Sequence, residues 1–264
     1  MENFSEVTKI KIKILEEGVK FEPISLFSEV IKKVKFKNKT IFKKPISDGK
    51  EVYDYSSRQE IIPSEILLDD TKNESIVKCR YNPNSSIELK WKDDKLEIYQ
   101  NNHKLELKVN LIKEYDVMQQ KIDDDFFVGD YVDVVGIDRM SLLLFEGCYN
   151  WICGKQCKFC DLHPKRVSEK VCRPTLNNLY KYDSIDKWWN SQKDLFFKNT
   201  NLALDKLLRN TNLKHKHLFI MAGNLSDCEI VWKYLIEFVE NLTKQFDLQE
   251  FDTIANVCPH DSIE

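Results

Sequence analysis

The sequence predicts an α/β fold: a parallel sheet with crossover helices, preceded by a β-rich N-terminal region. Three observations lead there. Short stretches of period-two alternation fill the first half of the chain. Nearly continuous apolar runs, short enough for buried strands, stand in the second half. Between those runs lie segments with apolar residues at helical spacing. The change of character places an N-terminal region at 1–135 and a second region at 136–264.

Ile10-Lys11-Ile12-Lys13-Ile14 alternates as a half-buried strand does, and Val34 to Phe42 does so more loosely. Ser47 to Glu74 is mostly polar and reads as loop-rich. Ser86–Trp91, Lys95–Tyr99 and Lys104–Val109 form a meander-like series, with Lys92-Asp93-Asp94 and Gln100 to His103 as hairpin turns. The acidic run Asp123-Asp124-Asp125 marks a boundary near residue 130. Met140–Phe145 reads as a strand buried on both faces. Ser184 to Arg209 is helical in pattern, with Ile185, Trp188, Trp189, Leu195, Phe196, Leu202, Leu204 and Leu208 as its apolar residues. His217–Ala222 is a second buried strand, and Gly223-Asn224-Leu225 is a turn. Ser226 is the N-cap candidate of the next helix, with Glu229 completing a capping box. Ile230, Leu235, Phe238, Val239 and Leu242 give that helix an apolar face, and Phe251–Val257 reads as a third strand. The order β-loop-α-β-α-β implies parallel pairing.

Composition sets bounds on function. The chain has 264 residues, enough for one large or two modest cores. Its 40 basic and 43 acidic side chains nearly cancel, so the overall charge demands neither nucleic acid nor an anionic membrane. No apolar run has the length of a membrane span, and the first residues carry no secretory pattern, so a cytoplasmic location without membrane partners is expected. Five of the 8 cysteines fall between 148 and 172. Thiols clustered this way in a chain without a secretory signal point to a metal site rather than to a disulfide framework.

Within the cluster, Cys153, Cys157 and Cys160 are separated by three and two residues. Thiolates are soft anionic ligands and the usual protein ligands of iron–sulfur clusters. Such short gaps let one loop wrap one cluster, and Gly154 adds backbone freedom. Three thiolates on four irons leave one iron open to another ligand. The alternative metal is zinc, with Cys153, Cys157 and Cys160 joined by Cys148, His163 or Cys172. One clear knuckle, rather than the usual two, weighs against zinc. Plain core thiols are the remaining reading, at odds with a Lys-rich, polar loop.

The CxxxCxxC loop, with Phe159 just before its last cysteine and placed after the first strand of a β/α unit, resembles the signature of the radical S-adenosylmethionine superfamily. The resemblance covers roughly 136–258 and is specific mainly at the loop. It implies a partial (β/α) barrel, a 4Fe–4S cluster held by Cys153, Cys157 and Cys160, and S-adenosyl-L-methionine on the open iron. It also implies cleavage of that cofactor to a 5′-deoxyadenosyl radical that abstracts hydrogen from a substrate, here unknown. Phe159, Gly223, Asn224, Leu225 and Ser226 take the cofactor-binding positions, although the Ala222-Gly223-Asn224 turn departs from the family's Gly-Gly-Glu pattern. Cys148 is the alternative to Cys153 as first ligand, because Gly147-Cys148 also resembles the loop opening of related subfamilies. An electron donor such as flavodoxin or ferredoxin is implied as a partner. The family's barrel uses six β/α units, and only three strands are read after Met140. A second chain completing the barrel, and a truncated cluster-binding domain without activity, are therefore expectations alongside the enzyme and the zinc module.

Other signals have plainer readings. Seven lysines between Lys32 and Lys44 suit the solvated face of an edge strand, with phosphate binding as the alternative. His163, Lys165 and Arg166 read as surface loop, and Cys79, Cys228 and Cys258 as small buried apolar residues. Trp188-Trp189 reads as helix packing.

Overall fold

A computed structural model describes residues 4–34, 38–41, 60–70, 72–154, 174–213 and 216–257. The chain divides into two compact units, Met1–Glu114 and Tyr115–Glu264. Each mixes helices and sheets.

The first unit runs α1 (Glu6–Glu17), β1 (Lys20–Glu22), α2 (Ile24–Val34), β2 (Asn38–Ile41), β3 (Glu60–Pro63), β4 (Glu65–Asp69), β5 (Glu74–Lys78), β6 (Ile87–Lys92), β7 (Lys95–Gln100), β8 (His103–Lys104) and β9 (Lys108–Leu111). Its sheets have the orders β1-β6-β7-β8, β5-β4-β9 and β2-β3. The meander expected from alternation is present in β6 and β7, which pair antiparallel from Ile87↔Gln100 to Lys92↔Lys95. The turns obey backbone sterics. Asp93 and Asp94, then Asn101 and Asn102, all take positive φ, between 48° and 66°, and these are the side chains that tolerate it best in two-residue hairpin turns. The third strand of the series is split, with His103–Lys104 on one sheet and Lys108–Leu111 on another.

One expected strand is a helix. Ile10–Ile14 lies within α1, where Val7, Ile10 and Ile14 are 1%, 2% and 0% exposed on one face. Isoleucines at alternate positions satisfy period two over five residues. The three-and-four spacing back to Val7 satisfies the helix as well, and the ends decide. Ser5 Oγ accepts from the Thr8 amide at 3.2 Å, and the Gly18 amide donates to Ile14 O at 2.8 Å. Of the lysine-rich stretch, Lys35, Lys37, Lys43 and Lys44 lie outside the described residues. The polar segment expected to be loop carries β3 and β4, whose Ile62, Ile66 and Leu68 are fully buried.

The second unit runs α3 (Val128–Tyr131), β10 (Val132–Val135), β11 (Arg139–Leu143), α4 (Tyr149–Ile152), α5 (Ile185–Asn190), α6 (Lys193–Asn210), β12 (His217–Met221), α7 (Cys228–Thr243) and β13 (Asp252–Asn256). Its sheet has the order β10-β11-β12-β13. β10 is antiparallel to β11, and β11, β12 and β13 run parallel, joined by helical crossovers as the β-α-β order requires. The sheet is open at β13, all five of whose residues are exposed, and no closed barrel forms among the described residues.

The unit begins earlier than the expected boundary at 135. Val117, Met118, Val128, Tyr131 and Val132 are buried in the second core, so 115–135 pack there. The acidic run forms a turn instead of a linker: the Asp123 carboxylate accepts from the amides of Asp125 and Phe126 at 3.0 and 2.9 Å. Burial differs between the two runs. In Met140–Phe145 only Leu143 is half-buried and Met140, Ser141, Leu142, Leu144 and Phe145 are buried, whereas in β12 Leu218 and Ile220 are buried and Phe219 and Met221 are half-buried. A continuous apolar run cannot distinguish a strand with two covered faces from one with a single covered face. The helical stretch after Ser184 is two helices, broken at Ser191–Gln192, and Leu195 and Leu202 point outward. The N-cap of α7 is Asp227, whose carboxylate accepts from the Glu229 amide at 2.9 Å, while Ser226 is exposed one residue earlier.

Trp188 and Trp189 are completely buried. Trp189 stacks on Tyr234 with ring centroids 4.4 Å apart, and its Nε1 donates to Glu237 at 2.9 Å. Burial alone would discourage ionisation of Glu237, but the Trp189 and Lys193 hydrogen bonds outweigh it and hold the carboxyl below its usual range. Asp186 is lowered as well, first by its hydrogen bond from Lys233 and then by that from Tyr234. A depressed folded-state pKa contributes stability above the unfolded value, which is lost as pH falls through the folded one. The urea midpoint should therefore drop between pH 5 and pH 3, and Glu237→Gln should shrink the difference. An unchanged pH dependence in that variant would contradict the assignment.

Candidate functional site

The C-terminal edge of the parallel strands brings two loops together. Leu144 and Phe145 are fully buried beyond β11, and the chain then turns at Gly147, with φ of 96°. Cys148 is buried, α4 carries Tyr149, and Cys153 emerges exposed before Gly154. Cys157, Phe159 and Cys160 lie outside the described residues, as do His163, Lys165, Arg166, Cys172 and Cys258. Chain leaves and returns through a clasped base. The Glu146 amide donates to Pro174 O at 2.7 Å, and the Leu176 amide donates back to Glu146 O at 3.0 Å. Trp188 Nε1 donates to Thr175 O at 3.1 Å, tying the return to the core.

The second loop follows β12. Gly223 crosses directly over Gly147: a Cβ on it would stand 2.0 Å from Gly147 O and 3.1 Å from Cys148 Cα. Only glycine fits there. Asn224 then stitches the loops. Its amide donates to Cys148 Sγ at 3.2 Å, and its carbonyl accepts from the Tyr149 amide at 2.7 Å. Its side-chain oxygen accepts from Cys228 Sγ at 3.5 Å. Cys228 thus opens α7 beside the site instead of sitting in the core, whereas Cys79 is buried at 1% exposure.

The chain matches no protein-family model, no curated protein and no solved structure.

Of the residues read as cofactor-binding, Gly223 and Asn224 touch the cysteine loop, Leu225 is buried in the core at 1% exposure, and Ser226 is exposed. The two candidate first ligands differ in setting. Cys148 Sγ is buried and already accepts the Asn224 amide. Cys153 is exposed beside Gly154, where a methyl group on the glycine would meet nothing within 4 Å among the described residues. The neighbouring Cys153 thiol raises the pKa of the Tyr149 phenol. Among the described residues, no three His, Cys, Asp or Glu side chains gather as a metal-binding group, and no helix is long and apolar enough to cross a membrane.

The Gly147–Gly223 crossing is the feature sequence reasoning missed. Gly147 stands out only as the neighbour of Cys148, and Gly223 only as a turn residue. Their contact depends on two strands, distant in the chain, aligning Leu142 with Ile220.

Proposed function

We propose that this chain binds a 4Fe–4S cluster and S-adenosylmethionine at the C-terminal edge of β11 and β12, and that it acts as a radical S-adenosylmethionine enzyme or as part of one. The reading is carried by one observation: the Cys153-x3-Cys157-x2-Cys160 spacing lies just beyond a parallel strand whose neighbour's turn is stitched to the same loop. In α/β sheets, ligands gather outside the carboxyl ends of the strands. The bound group supplies one-electron reduction and the radical when cofactor is present.

The chain's own residues orient and enclose. Cys153 offers an exposed thiol, joined by Cys157 and Cys160 as ligands. Tyr149 stands beside Cys153 at the opening of the loop. The Gly223–Asn224 turn holds main-chain groups beside the loop, where a cofactor's polar atoms can meet them. An external electron donor completes the reading.

Anaerobic reconstitution with iron and sulfide tests this. The expected product is brown, with about four irons per chain and a broad absorption near roughly 400 nm. Incubation with dithionite and S-adenosylmethionine should then release 5′-deoxyadenosine. A colourless protein holding one zinc overturns the reading in favour of a zinc module. Iron without 5′-deoxyadenosine leaves a cluster-binding domain and overturns the enzymatic part.

A further inference from the structure

The first unit contains a cleft of about 490 Å³, independent of the cysteine loop. Its origin is a step in the sheet. β1 and β6 pair in parallel from Lys20↔Glu88 to Glu22↔Lys90. Pro23 then ends β1, since it has no amide to continue the ladder, while β6 runs on through Trp91 and Lys92. The step is lined by Phe21, Ile24, Tyr81 and Trp91 together with the charged Glu22 and Lys92, among others.

The aromatic side chains are held before any ligand arrives. Trp91 is half-buried and packs edge-to-face on Phe27, centroids 6.2 Å apart. Tyr81 is half-buried and stacks on Phe21, centroids 6.5 Å apart at 22°. Fixed rings lose little conformational freedom when a planar ligand stacks on them. The charges are unequally committed. Lys20 contacts Glu22 at 2.5 Å and Glu88 at 3.2 Å, and Lys90 contacts Glu88 at 2.9 Å. Lys92 is exposed and enters no ion pair among the described residues. A ligand entering here meets aromatic side chains, the Glu22 carboxylate and the exposed Lys92 ammonium, whose charge also acts on Glu97. The volume falls within the roughly 300–1,000 Å³ of small-molecule sites.

We propose that this cleft binds a nucleoside 5′-monophosphate, its base against Trp91 and Tyr81 and its phosphate on Lys92. The base's exocyclic amino group suits Glu22 as acceptor. A neutral aromatic ligand leaves Lys92 unused, and a simple anion leaves the rings unused, so the combined molecule is the best match.

Titration calorimetry on the full chain with adenosine 5′-monophosphate, adenosine and ribose 5-phosphate tests the assignment. The monophosphate should bind saturably and about tenfold or more tighter than either part, the increment that base stacking on an aromatic ring typically supplies. Lys92→Glu, at an exposed position, should weaken the monophosphate about tenfold and leave adenosine unchanged, as expected for a single phosphate–ammonium contact. Trp91→Ala should weaken both, and Trp91→Phe should retain most of the binding. Circular dichroism checks that the Trp91 variants fold, and Lys92→Glu carries the test if they do not. No saturable binding, equal affinity for the monophosphate and ribose 5-phosphate, or no effect of Lys92→Glu would each overturn the proposal.

Discussion

Gly223→Ala is expected to disrupt the C-terminal edge of the second unit's sheet more than any other single methyl addition. The new carbon would sit 2.0 Å from Gly147 O and 3.0 Å from Gly147 C, against backbone that cannot rotate away. Relief requires the two loops to move apart. That separation breaks the Asn224 amide bond to Cys148 Sγ and the Tyr149 amide bond to Asn224 O, which are 3.2 and 2.7 Å long. Overpacking costs about 1–3 kcal/mol and occasionally more, and this case belongs at the top of that range. Gly154→Ala is the matched control. Gly154 also has positive φ, 67°, but among the described residues nothing lies within 4 Å of its Cβ position, so only the conformational cost of about 1 kcal/mol applies. Urea unfolding of both variants decides. Equal stability losses would mean that the two loops do not meet as described.

Cys153→Ala should leave the fold nearly untouched and remove the iron. The thiol is exposed, and surface substitutions away from special features typically change stability by less than about 0.5 kcal/mol. As a proposed cluster ligand, its loss should cut reconstituted iron from about four per chain to a small residue. Cys148→Ala should do the reverse. It removes a buried sulfur and leaves the Asn224 amide without its acceptor, a loss of about 1–3 kcal/mol, while iron is retained. The crossed outcome, with iron kept by the Cys153 variant and lost by the Cys148 variant, would make Cys148 the ligand and the Asn224 contact a hydrogen bond to a ligand sulfur.

How legible each element was follows from how far its cause extends along the chain. The hairpin at Asp93-Asp94 could be read because its turn residues, flanking alternation and partner strand lie close together in the chain. The α7 helix was legible from its apolar spacing, but its cap was displaced by one residue, because Ser226 and Asp227 are both good acceptors and the final turn geometry chooses between them. α1 was misread because Ile-Lys-Ile-Lys-Ile fits both periods, and burial of Val7, Ile10 and Ile14 selects the helix. The boundary was misread for a related reason. Acidic residues mark solvent exposure, which an Asp123 turn supplies as well as a linker does.

The sequence by itself determined the donor chemistry at the proposed site, since ligand type and the gaps between Cys153, Cys157 and Cys160 are local covalent facts. It also determined the parallel order of β11, β12 and β13, because apolar runs separated by helical segments leave few other connections. Tertiary structure alone decided what stands beside the cysteines: Gly223 against Gly147, and Asn224 on Cys148. It alone decided the cleft at Trp91 as well, which depends on β1 ending at Pro23 while β6 continues. Local chemistry is written in adjacent residues. Close approach between distant segments depends on register and packing, which the spacing of residues along one chain does not contain.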